Sequence, residues 1–133
     1  MSETKTNVTT MTIDHVAWHV NDLERSKRFY VDILGFQLRK DYTMLDGTQV
    51  ALLRCGEHYG LNLFWTPNKD VHGGDEVNHI ALKVNIEELE RLKEEFAKAG
   101  IVATTILDDR ETTLFIADPD GHRIQIEPLN YRK

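Results

Sequence analysis

A single cysteine, Cys55, is all the chain carries. No intrachain disulfide can form, and the composition suits a reducing compartment, of which the cytoplasm is the simplest. No apolar run approaches the roughly 20 residues that cross a bilayer, which predicts no membrane partner. The opening "MSETKTNVTT" has neither the charged nor the apolar region of a signal peptide, and residues 1–10 read as a flexible tail. A basic stripe is missing too: 16 Lys and Arg stand against 22 Asp and Glu, a formal charge of −6 spread along the chain. This excludes nucleic acid as an expected partner. At 133 residues the chain has the length of one domain with its own core, and residues 11–133 are expected to form it.

What the sequence does contain is a repeat. "IDHVAWHV" at 13–20 and "VNHIALKV" at 77–84 each place a histidine third in an alternating apolar run, and His15 and His79 lie 64 residues apart. After the first run, Asn21 or Asp22 is placed to cap a helix with apolar positions Leu23, Phe29, Tyr30, Ile33 and Leu34, ended by Gly35. After the second, Asn85 and Glu88 form a capping-box pattern ahead of Leu89, Leu92, Phe96 and Ala99, ended by Gly100. Strand-like runs follow each helix: "FQLRKDY", "TQVALLRC" and "LNLFW", then "IVATTIL", "TTLFIAD" and "HRIQIEP". The turns between them carry Asp46-Gly47, Cys55-Gly56, Asp109-Arg110 and Asp118-Pro119-Asp120-Gly121. Each half therefore reads strand, helix, strand, strand, strand. Module 1 spans about residues 11–67 and module 2 about 76–130, joined through the turn-rich "TPNKDVHGGDE".

Such a fold is α+β. One helix covers only one face of a four-stranded sheet, so two modules gain by curving their bare faces around a shared space. Strand alternation puts His15, Ala17 and His19 on one face, and His79, Ala81 and Lys83 on the matching one. The apolar alternates, Val16, Trp18 and Val20 in the first run, are left to pack on the helices. Trp18 and Trp65 are the aromatic candidates for lining a cleft, with alternation turning Trp18 toward a helix. His58, His72 and His122 fall in turns, where surface placement is expected. Cys55 has no activating neighbour in sequence and reads as a buried, inert thiol.

The stretches "IDHVAWHVNDLERSKRFYVDILGF", "VNHIALKV" and "DPDGHRIQIEP" resemble the vicinal oxygen chelate superfamily, which includes glyoxalase I, extradiol dioxygenases, methylmalonyl-CoA epimerase, and the fosfomycin- and bleomycin-resistance proteins. The resemblance covers residues 12–128. It implies two βαβββ modules forming a cupped open β-barrel with flanking helices, completed in a homodimer. In metal-using members a ligand sits on the first and on the last strand of each module, and these positions correspond here to His15, Asn62, His79 and Gln125. The usual carboxylates at positions 62 and 125 are amides in this chain. Glu127, two residues beyond Gln125 on the same face by alternation, is the nearest carboxylate.

A divalent metal with open positions holds two adjacent oxygens of a substrate and stabilises an enediolate or activates dioxygen. Imidazole and oxygen donors suit Zn, Ni, Co, Mn or Fe(II). The resemblance thus implies His15, His79, Gln125 and Glu127 as metal ligands, Glu127 also as the catalytic base, and Asn62, His19 and Lys83 as contacts to a small-molecule substrate. For Glu127 the competing expectation is a solvent-facing carboxylate at a strand end. The first functional expectation is a metal-dependent lyase or isomerase similar to glyoxalase I. The others are a ring-cleaving Fe(II) dioxygenase and a metal-free binding protein of the bleomycin-resistance kind.

Overall fold

A computed structural model describes residues 11–67, 78–105 and 113–129. Module 1 comprises β1 (His15–His19), α1 (Leu23–Lys27) continuing as a π-helical turn (Arg28–Ile33), β2 (Gln37–Thr43), β3 (Gln49–Cys55) and β4 (Tyr59–Trp65). Module 2 comprises β5 (His79–Val84), α2 (Ile86–Ala99), β6 (Thr104–Thr105), β7 (Leu114–Ala117) and β8 (Arg123–Pro128). The two sheets have the same order, β1-β4-β3-β2 and β5-β8-β7-β6. In each, the first strand lies parallel to the last and the others pair antiparallel. The architecture is the α+β pair of βαβββ units expected from the repeat. Among the described residues the two sheets are not hydrogen-bonded to one another, so the described barrel is open. His72 and the Asp109-Arg110 turn lie outside the described residues.

Local chemistry accounts for the helix ends. The Asp22 side chain accepts from the Arg25 amide at the start of α1, and Asn85 accepts from the Glu88 amide at the start of α2. Gly100 closes α2 at φ 72, and the Ile101 amide reaches back to the Phe96 carbonyl at 2.8 Å. This six-to-one return bond is the geometry that favours glycine there. Asn85→Ala is expected to lower stability by about 1 kcal/mol, read as a shift in the urea midpoint with an unchanged slope.

The first helix departs from the regular helix the spacing predicts. From Arg28 onward it widens, and the Leu34 amide bonds to the Phe29 carbonyl five residues back. The wider turn carries two consecutive aromatic residues, Phe29 and Tyr30, into the core together. Widened helical turns of this kind occur often beside functional sites.

One apolar core unites both modules. Val20, Phe29, Tyr30, Leu53 and Leu63 from the first meet Leu89, Leu92, Phe96, Ile124 and Ile126 from the second. The alternation of β5 is clean: Ile80, Leu82 and Val84 pack against this core while His79, Ala81 and Lys83 are exposed. On β1, Trp18 and Val20 turn inward and His15 and Ala17 outward, while Val16, expected to pack on a helix, is exposed near the strand's start. The register inferred from sequence therefore holds on both first strands. A slip of one residue would have buried both histidines and exposed the core set.

The turn before β8 ties the modules together. Asp118 accepts from the Tyr30 hydroxyl at 2.6 Å and from the amides of Asp120 and His122. Asp120 accepts from the Asn21 amide, the Arg25 guanidinium and the Ser26 hydroxyl. His122 stacks on Trp18 with centroids 4.3 Å apart, and its Nε2 lies 2.9 Å from the His19 carbonyl. His122 is buried, which corrects its expected surface placement. A five-residue turn whose aspartates are consumed by the other module draws its histidine in with it. The corresponding turn of module 1, Cys55 to Tyr59, lies instead beside an open cavity of about 1100 Å³ between the modules.

Candidate metal and substrate site

The register of the parallel strand pairs brings each first-strand histidine beside an amide. In sheet 1, His15 lies opposite Gly60 and Ala17 opposite Asn62. In sheet 2, His79 lies opposite Arg123, Ala81 opposite Gln125, and Lys83 opposite Glu127. Residues opposite one another in a ladder share a face. His15 and Asn62 therefore stand on the outward face of one sheet, and His79, Gln125 and Glu127 on that of the other. The two halves correspond position for position.

Each half has supporting contacts. The His15 Nδ1 lies 2.8 Å from the Asp14 carboxylate, which is highly exposed. An imidazole donating from Nδ1 to a carboxylate keeps Nε2 as its lone-pair donor, the arrangement common behind metal-bound histidines. Gly60 makes room for it, because a Cβ there would lie 3.2 Å from both the His15 Cβ and the Leu53 carbonyl. The same position is 3.8 Å from the Asn62 amide oxygen, so His15 and Asn62 flank one small gap. In sheet 2, Gln125 Nε2 donates to Glu127 Oε2 at 3.2 Å. This bond turns the amide nitrogen toward Glu127 and leaves the Gln125 carbonyl oxygen as the other donor atom of the side chain.

Glu127 is 1% exposed, and the alternative of a solvent-facing strand-end carboxylate does not hold. It lies on β8, an interior strand between β5 and β7, and is buried there despite the neighbouring Pro128. Trp18 faces the helices, as alternation requires. Trp65 donates from its indole to the Asn21 carbonyl and so braces the end of β1. His58 is exposed, as expected. Cys55 is half-buried, and burial pushes its thiol pKa up, which suits an inert thiol.

The described residues contain a group of three ionisable side chains with ligand atoms within 4.8 Å of one another, Asp118, Asp120 and His122. Sequence reading missed this group as a cluster, and the "DPDGH" spacing was the signal for it. Its donor atoms are already engaged in the clasp between modules, so its geometry is that of a structural joint. His15, His79 and Glu127 do not form such a group within one chain. The cavity between the modules is bordered by His15, Ala81 and Lys83, with Val16, Leu61, Ile80 and Leu82 supplying apolar wall. Exposed apolar side chains occur on and just after β2, including Leu38, Tyr42, Met44 and Leu45, and every residue of β2 is exposed. No helix among the described residues is long and apolar enough to cross a membrane.

Comparison with known proteins adds the following. The profile described as "Glyoxalase/Bleomycin resistance protein/Dioxygenase superfamily" matches residues 12–126. The chain is 26% identical to the metallothiol transferase FosB of Lysinibacillus sphaericus over 89% of its own length and 82% of that protein. It is 30% identical to the lactoylglutathione lyase of Neisseria meningitidis, covering 86% of itself and 88% of the relative. Catechol-2,3-dioxygenase of Bacillus subtilis is 28% identical, but the chain spans only 41% of that protein. Among solved structures, a glyoxalase/bleomycin resistance/dioxygenase domain from Frankia superposes with a TM-score of 0.78 at 24% identity, covering 90% of this chain and 98% of that one.

Proposed function

Since the chain belongs to the glyoxalase/bleomycin resistance protein/dioxygenase superfamily, we propose that it is a metal-dependent lyase or isomerase, similar to glyoxalase I, acting on a small oxygen-bearing substrate. The observation that carries this reading is the matched pair of half-sites: a histidine and an amide at corresponding ladder positions of both sheets, each on the outward face.

The residues present fit a divalent ion. His15 has its Nδ1 engaged by Asp14, and Gln125 has its nitrogen engaged by Glu127, so each keeps one oriented donor atom. Bound there, Zn, Ni, Co, Mn or Fe(II) would supply Lewis-acid stabilisation of adjacent substrate oxygens. His15, His79 and Gln125 hold the ion in this reading, with Asn62, His19 and Lys83 as substrate contacts. Glu127 orients Gln125 and, as the nearest carboxylate on that face, accepts the substrate proton. Glu127→Gln is expected to lower kcat about a hundredfold or more while metal affinity changes little, measured on the hemithioacetal of methylglyoxal with reconstituted enzyme. Unchanged turnover would remove Glu127 from the mechanism. A loss of metal equal to the loss of rate would make it a ligand instead.

His15, His79 and Glu127 do not form a close group of ligand atoms within the chain, and β2 is exposed over its whole length with apolar side chains upon it. Both features favour a homodimer in which the half-site of one protomer meets the complementary half-site of its partner. The dioxygenase alternative draws less support, because the matching relative is more than twice as long as the region this chain covers.

A further inference from the structure

We propose that the cavity beside β5 is a second ligand site, separate from the sheet face that carries His79, Gln125 and Glu127, and that it takes a small monocarboxylate with an apolar body. Binding there needs no metal, so the site goes beyond the function proposed above.

The hollow follows from the place of β5 at the edge of its sheet. Among the described residues it has one hydrogen-bonded neighbour strand, β8. Ile80, Leu82 and Val84 point to the core side yet are only partly buried, whereas Ile124 and Ile126 on the interior strand β8 are fully buried. β1 is the matching edge strand of sheet 1, and it borders the same cavity through His15 and Val16. About 1100 Å³ lies between these edges, with Leu34, Phe36, Leu61 and Leu92 forming the wall on the helix side. Ile13 and Val16 on its border are 70% and 39% exposed, so apolar surface is left uncovered there. A concave, mostly apolar space of this size with a few polar groups is the usual form of a small-molecule site.

The polar groups specify the ligand. In a chain of net charge −6, this cavity is bordered by two cations, Lys83 and Arg91, and by one carboxylate, Glu88. Glu88 accepts from the Arg91 Nε one turn along α2 and so fixes the plane of the guanidinium. A Cβ at Gly35 would lie 3.7 Å from Arg91 Nη2, so the guanidinium reaches from α2 across to the end of the first helix. Gly35 has φ 89, which glycine adopts without strain, and its missing side chain keeps the approach to Nη2 open. A carboxylate is the group whose geometry matches the forked N–H donors of a guanidinium. With the acid placed on Arg91, the apolar body of the ligand covers Ile80, Leu82 and Leu92.

Calorimetry on the full chain stripped of metal tests the site without turnover, with octanoate as the acid and octanamide as its neutral counterpart. Octanoate is expected to bind saturably, and each methylene added between butyrate and octanoate to tighten binding about threefold or more. Octanamide is expected to bind about tenfold more weakly, because it lacks the charge that pairs with the guanidinium. Arg91→Gln, at an exposed position on α2, should remove this preference for the acid. Val16→Trp, which fills the cavity from its exposed border, should abolish binding of both probes. Urea midpoints check that both variants fold. Octanoate binding unchanged in either variant would overturn the proposal, and so would the absence of saturable octanoate binding. Binding that appears only when Mn(II) is added would also overturn it, since the acid would then sit at the metal. Each of these failures leaves the metal-dependent reading standing, because no metal takes part in the binding proposed.

Discussion

Asp118→Ala is expected to destabilise the fold by about 3 to 4 kcal/mol, the largest effect of any single polar substitution considered. The carboxylate accepts from the Tyr30 hydroxyl and from two backbone amides, those of Asp120 and His122, and it is 5% exposed. Truncation leaves those donors unpaired in or near the core, each costing on the order of 1 kcal/mol or more. It also loosens the turn that presents His122 to Trp18 and Asp120 to α1. Tyr30→Phe removes only one of these bonds and should cost about 1 kcal/mol. Urea denaturation of both variants separates the two cases. A cost for Asp118→Ala no larger than that for Tyr30→Phe would mean the turn does not join the modules.

The same residue predicts a pH dependence. Burial raises the Asp118 pKa, while its hydrogen bonds and His122 pull it back in part. A carboxyl whose folded pKa lies above its unfolded value keeps its proton longer in the native state. Its contribution to stability is therefore complete below about pH 3.9, the ordinary aspartate value, and is lost as pH rises through the folded value. Asp118→Asn cannot titrate, so the stability of the unsubstituted chain minus that of the variant should fall as pH rises across that window. A difference that rises instead would reverse the sign assigned to the buried carboxyl.

The second large effect concerns the metal. His15→Ala and His79→Ala are each expected to lower affinity for divalent metal by more than about a hundredfold, since losing even an outer partner of a ligand commonly costs tenfold or more. Both histidines are exposed and outside the core, so thermal unfolding of the apo proteins should barely change. If the half-sites meet across a dimer, mixing the two variants and allowing exchange should restore about a quarter of the intact sites. Half the dimers would be mixed, and each would hold one complete site and one empty of both histidines. No recovery on verified exchange would place both histidines in one chain's site. Protein that carries no metal even before substitution would instead favour the binding-protein alternative.

Much of this was legible in the order of residues. A strand that buries one face must alternate, so "HVAWHV" and "HIALKV" fixed which side the two histidines take, and burial on β5 follows that alternation residue by residue. Asn85, Gly100 and Gly35 marked helix ends because capping and left-handed termination are local chemistry within a few residues. The repeat itself gave the shared sheet order, since equal lengths of chain with equal patterns find equal pairings.

Other features depended on which elements pack side by side, which no local pattern encodes. The "DPDGH" turn announced a tight reversal, yet only the packed modules show that its aspartates are spent on Tyr30, Arg25 and Asn21 and that its histidine is buried on Trp18. Strand-end position suggested a wet Glu127, whereas its place on the interior strand β8 buries it with a hydrogen bond from Gln125. The sequence determined that two histidines and two amides occupy matched positions on matched strands. The tertiary structure decided which neighbouring charges reach them, because that depends on which strands lie side by side and on what the other module packs against them.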